Sequence, residues 1–158
     1  MIGRSGSEGV DLSRNLASLN DKRLAGIEKY ADGQHYLELT KEEKDLFKMA
    51  SENFSTVIAV INSPNAMELG FVDEEEYGID ACLWVGAVGQ SGTRGVADVL
   101  CGKANPSGRL ADTYAYDNFS SPASANIGDY RYGTENYFYV SYSEGIYVGY
   151  KYYETRYE

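Results

Sequence analysis

The chain's most chemically suggestive stretch lies near its start, where an acid sits among glycines and serines: Arg4-Ser5-Gly6-Ser7-Glu8-Gly9-Val10-Asp11. Small flanking residues let a backbone approach a ligand closely. Met1-Ile2-Gly3-Arg4 reads as the last residues of a strand, so the acid falls on the loop that leaves it. Open α/β sheets place functional groups on such loops, at the C-terminal ends of parallel strands. A carboxylic acid held there with a raised pKa can protonate a departing oxygen and then act as base toward water. Glu8 has the type and the position for that work. The competing reading is an ordinary polar turn, since the chain carries 24 acids. Arg4 either orients a carboxylate through a charge-assisted bond or makes a surface salt bridge. Asp11 closes the same segment.

Other reactive side chains point nowhere so definite. Cys82 sits in an apolar strand-like run and Cys101 at a helix end, so both read as small buried hydrophobes and free thiols. His35 is the single histidine, which excludes a multi-histidine metal site and disfavours a Ser-His-Asp hydrolase. It is expected in a polar loop rather than at a reaction centre. No metal and no cofactor are expected.

The elements that would position Glu8 alternate between strand and helix. Residues 11–36 are polar and poorly periodic, a long loop with a short helix expected at 22–30. Thr40-Lys41-Glu42-Glu43 is a capping-box signature, starting a helix that should run to about Asn53 with Leu46, Phe47 and Ala50 facing the core. Residues 57–61 (VIAVI) and 81–85 (ACLWV) are continuous apolar runs, read as parallel strands buried on both faces. The connection between them has a helical tendency near 66–70. Gln90-Ser91-Gly92 opens a second helix with Val96, Val99 and Leu100 on its apolar face and Gly102 as its stop. This order predicts an α/β layered sandwich with a mainly parallel sheet flanked by helices. Residues 111–158 form an irregular tail; ten of the fifteen tyrosines fall between 130 and 157, enough to set it apart. Residues 134–143 alternate in places and suggest strand.

Two further motifs give the Glu8 segment its context. Ala97-Asp98-Val99-Leu100-Cys101-Gly102 leads into Asn105-Pro106-Ser107-Gly108-Arg109-Leu110, in which Pro106 fixes its own φ and Gly108 permits a tight reversal. Downstream lies Glu144-Gly145-Ile146-Tyr147-Val148-Gly149-Tyr150-Lys151-Tyr152-Tyr153. Together these resemble the α/β-sandwich domain of glycoside hydrolase family 3, with its patterns A-D-V-L-x-G-x-x-N-P-S-G-R-L and E-x-I-Y-V-G-Y-R-Y. Lys151 stands where the family usually has Arg. Residues 4–11 resemble the family's R-x-S-G-E-G-x-D, with Ser7 in place of the usual Gly.

The resemblance implies that Glu8 is the catalytic acid/base of a retaining β-glycosidase and that Arg4 and Asp11 contact substrate. It implies a β-linked oligosaccharide or glycoside as substrate. It also implies an N-terminal (β/α) barrel, outside this chain, carrying the nucleophilic aspartate; retaining hydrolysis needs two carboxylates. The 158 residues then form one partial sandwich domain: residues 1–39 a strand end and site-side loop, 40–110 the α/β core, and 111–158 the Tyr-rich extension.

Bulk properties are compatible with this. A net charge of −10 disfavours nucleic acid and anionic membranes as partners, and no apolar run approaches a membrane span. The tail tyrosines suit stacking on pyranose faces, though packing against a neighbouring domain explains them as well. Two other classes stay open: a non-catalytic carbohydrate-binding or structural domain, and a flavodoxin-like module for a phosphorylated ligand. The second needs a Gly-rich phosphate loop, and residues 5–9 carry an acid that would repel phosphate.

Overall fold

A computed structural model describes residues 1–4, 34–125 and 142–156. Among these residues the sheet has three strands, β1 (Ile2–Gly3), β2 (Ile58–Asn62) and β3 (Ala81–Trp84), in the order β1-β2-β3 and all parallel. Ile2 stands opposite Ile61, and residues 58–61 pair in step with 81–84. Asp80 sets that register: its backbone N–H donates to the Val57 carbonyl at 2.9 Å, and its carboxylate accepts from the Val57 N–H at 2.8 Å. Helix α1 (Lys41–Asn53) begins where the capping box puts it. The Thr40 hydroxyl accepts from the Glu43 N–H at 3.2 Å, and the Glu43 carboxylate accepts from the Thr40 N–H at 2.9 Å.

The core follows the two-residue period of β2. Val57, Ala59 and Ile61 share one face and pack with Ile2, Leu39, Phe47 of α1, Met67, Phe71 and Tyr77. Phe47 lies 5.4 Å from the Phe71 ring and 6.0 Å from the Tyr77 ring. Each fully buried side chain of this size contributes about 1.5–3 kcal/mol. Phe71 and Tyr77 arrive on two 3₁₀ turns, Gly70–Asp73 and Glu75–Tyr77, so turns rather than a helix fill the β2-to-β3 connection. Gly78 ends the second turn at φ 53°, and a Cβ there would come within 3.1 Å of the Ser51 Cβ, so glycine is required twice over.

Several expectations need correction at the far side of the sheet. β3 forms and pairs in parallel, but Ala81, Cys82 and Trp84 are exposed and Leu83 is half-buried. An apolar run reports a capacity for burial; the described neighbours cover Ala59, Val60 and Ile61 of β2 but leave Ile58, 43% exposed, and β3 open. The same holds for Leu46, 44% exposed on α1. Helix α2 (Thr93–Leu100) is in place, with Gly102 at φ 69° donating back to the Val99 carbonyl, yet it buries no residue fully. Gly108 takes no positive φ, and residues 105–110 are exposed throughout. In the tail, Pro122–Ala125 (α3) and Tyr150–Arg156 (α4) are helical. The helix expected at 22–30 lies outside the described residues, as does most of the strand expected at 134–143. Among the described residues, no helix is long and apolar enough to cross a membrane.

Cys82 and Cys101 are exposed rather than buried, and both are free thiols. Although Cys82 is open as a residue, its neighbours desolvate the thiol and push its pKa up. Native protein should therefore titrate two thiols without denaturant, with Cys82 reacting slowly because its thiolate is scarce. A Cys82→Ser variant should lose the slow phase. A titre of zero or one would contradict the exposure of both.

Candidate functional site

The C-terminal edge of the sheet gathers three segments: Arg4 after β1, residues 34–40 before α1, and residues 63–69 after β2. Arg4 continues the ladder by donating its N–H to the Asn62 carbonyl at 3.1 Å. Its side chain, 4% exposed, spends all five guanidinium N–H groups. Nε donates to the Tyr36 carbonyl (2.7 Å) and Nη1 to the Gly3 carbonyl (2.8 Å). Nη2 donates to the Glu38 carbonyl (2.6 Å), and Nη1 and Nη2 grip the two Glu43 oxygens at 2.7 and 2.6 Å. The same Glu43 completes the α1 cap, so one carboxylate ties β1, the 34–40 loop and α1 together.

Burial pushes the Glu43 carboxyl upward, but the Arg4 hydrogen bonds, the Thr40 N–H and the Arg4 charge outweigh it and hold the group below its ordinary range. Arg4 thus does orient a carboxylate, that of Glu43, in a buried bond rather than a surface salt bridge. With its five donors committed, the guanidinium has none left for a ligand in this arrangement. Glu8 and Asp11 lie outside the described residues.

A second knot forms around His35, which is buried despite its loop position. Its Nδ1 accepts from the Leu37 N–H at 3.2 Å, which puts the ring proton on Nε2. Nε2 donates to Glu68 Oε1 at 2.8 Å, and the same oxygen accepts from the Asn118 N–H at 2.7 Å. Asn118 Nδ2 donates to the Ala66 carbonyl at 3.0 Å, and the Phe119 ring stands edge-on to His35 at 4.9 Å. Three segments distant in sequence therefore meet at one imidazole. Nothing local to His35 could have signalled the long-range part of this, because Glu68 is 33 residues away and Phe119 farther still.

Ligand atoms of His35, Glu38 and Glu68 lie within 4.8 Å of one another, close enough to raise the question of a metal. The hydrogen bonds answer it. Metal on Nε2 would require the proton on Nδ1, where it would face the Leu37 N–H. Glu68 Oε1 already accepts two hydrogen bonds, and Glu38 accepts from the His35 N–H at 3.0 Å and the Gln34 amide at 3.3 Å. This donor set is a structural hub.

At the end of β2, Ser63 is fully buried and its carbonyl accepts from the Trp84 indole N–H at 2.9 Å, which joins β2 to β3. A parallel sheet so braced, with helix α1 packed on it, defines an α/β domain. Comparison with known proteins makes this specific. The glycosyl hydrolase family 3 C-terminal domain matches residues 6–150, and the chain belongs to that family. Beta-glucosidase A of Butyrivibrio fibrisolvens is 34% identical over 92% of this chain and 18% of its own length. A beta-glucosidase of Ruminococcus albus is 36% identical over 74% of the chain and 11% of its own. The solved beta-glucosidase of Paenibacillus barengoltzii superposes with a TM-score of 0.66 and 31% identity, over 80% of this chain and 13% of that one. The chain thus spans less than a fifth of the length of each of these relatives.

Proposed function

We propose that this chain supplies the acid/base half of a retaining β-glucosidase site, with Glu8 as the acid/base carboxylate. The observation that carries the reading is the family match from residue 6 to 150, which includes the segment holding Glu8. Glu8 follows Gly3, the last residue of β1, by five positions in the sequence, and the C-terminal ends of parallel strands are where open α/β sheets present their chemistry. In this proposal the substrate is a β-linked glucoside or oligosaccharide, and Asp11 contacts it. Arg4 serves as a positioning residue that fixes the strand end preceding Glu8. The nucleophilic carboxylate comes from an N-terminal (β/α) barrel, because retaining hydrolysis sets two carboxyl groups about 5–5.5 Å apart across the bond.

The isolated chain is expected to hydrolyse no aryl β-glucoside above the buffer rate. Joined to the barrel domain of a family relative that carries the aspartate, it should gain turnover. Steady hydrolysis by the purified 158-residue chain alone would overturn the division of the site between two domains.

A further inference from the structure

We propose that the cleft between residues 113–120 and helix α4 is a saccharide-binding site for a neutral pyranose-containing ligand. It has a volume of about 670 Å³, inside the ~300–1,000 Å³ range of small-molecule sites. Tyr114, Tyr116, Tyr152 and Tyr153 line it, with Asp117, Glu154 and Arg156 as its charged groups. Pyranose rings present C–H faces bounded by hydroxyls. Tyrosine answers both, with a flat apolar face and a polar tip.

Two of the rings are set before any ligand arrives. The Tyr152 hydroxyl donates to the Ser120 carbonyl at 3.1 Å, and the Tyr153 hydroxyl lies 3.2 Å from the Ser120 Oγ. Ser120 is itself held, its Oγ donating to the Asp117 carbonyl at 2.6 Å. The two rings stand edge-on at 5.4 Å and 74°. Binding to rings already fixed costs little ordering entropy, which is the main saving of a preorganised site. Yet the rings keep accessible area: Tyr152 and Tyr153 are half-buried, and Tyr116, whose hydroxyl donates to Asp73, is 65% exposed.

The polar groups select among ligands. Asp117 accepts from the Phe119 N–H at 2.7 Å through one oxygen, and a carboxylate has further lone pairs for sugar hydroxyls. Arg156 donates to the Tyr152 hydroxyl and lies over that ring at 5.7 Å, so its charge is drawn inward. Asp117 and Glu154 also oppose it, which disfavours a phosphorylated or acidic ligand. Desolvation, aided by the Asp112 charge, raises the Tyr114 pKa, so the phenol keeps its proton as a donor. The site shares its ligand class with the proposed function but requires no catalysis and no residue of the Glu8 segment.

Titration of the chain with cellobiose, followed by NMR of ring-labelled tyrosine, tests this. Saturable shifts are expected at Tyr114, Tyr116, Tyr152 and Tyr153, while Tyr77 in the core stays unmoved. Tyr153→Ala should weaken binding roughly tenfold, as truncation of an aromatic anchor does. Tyr153→Phe keeps the ring and should retain binding. Tyr116→Ala, compared with Tyr116→Phe because the Tyr116 hydroxyl also donates to Asp73, gives a second loss in a variant shown to fold like the parent. Absence of a saturable shift in the folded chain overturns the proposal, as does Tyr116→Ala or folded Tyr153→Ala binding cellobiose like the parent. Failure of the Glu8 assignment would leave these binding shifts untouched, so the two readings fall separately.

Discussion

Glu8→Gln, in an enzyme that joins this domain to a barrel carrying the nucleophile, is expected to slow cleavage of substrates with poor leaving groups by about 10²–10⁴-fold. Such substrates need a proton delivered to the departing oxygen, and glutamine has none to give. A dinitrophenyl glucoside leaves without that help, so formation of its glycosyl-enzyme should be nearly unaffected. The second step then limits turnover, because water attacks only with a general base beside it. Added azide should restore that step and yield a glycosyl azide of retained configuration, since a small anion attacks without a base. The spread between the two substrate classes and the azide response must appear together. Equal loss on both classes with no response to azide would make Glu8 structural.

Which parts of this domain were legible in the sequence follows from the range of the forces involved. The α1 cap was readable because Thr40 and Glu43 satisfy each other within one turn. β2 and β3 were readable as strands because an unbroken β-branched or apolar run has few other uses. What covers a strand is a long-range matter, and there the reading failed: Cys82 and Trp84 have the character of core residues but stand exposed. The Arg4–Glu43 and His35–Glu68 pairs escaped for the same reason, since they join residues 39 and 33 positions apart. The family motifs added what local physics could not, an expected role for Glu8. The tyrosine-rich tail shows the opposite limit, for composition flagged it while the helix at its end went unseen.

Arg4 is where fold and proposed chemistry meet, and its removal should be costly. Arg4→Met keeps much of the apolar stem but strands the Glu43 carboxylate, whose side chain is only 19% exposed. Breaking such a pair from one side typically costs about 3–5 kcal/mol, because an uncompensated charge stays behind. Glu43→Gln isolates the charge, since glutamine can still complete the helix cap. The sign of the pH dependence follows from the depressed carboxyl. Glu43 binds its proton less readily folded than unfolded, so the Arg4 bond stabilises fully above the unfolded value of ~4.3. That contribution fades as pH falls through the lower folded-state pKa. Urea unfolding across this window should therefore show the parent and Glu43→Gln converging in acid and well separated at neutral pH. A difference that stays constant with pH would mean that the ion pair adds nothing beyond the neutral hydrogen bonds. Convergence in acid combined with lost turnover toward both substrate classes in Arg4→Met would mark Arg4 as the residue that positions Glu8, because a misplaced acid harms every substrate where a missing proton harms only some.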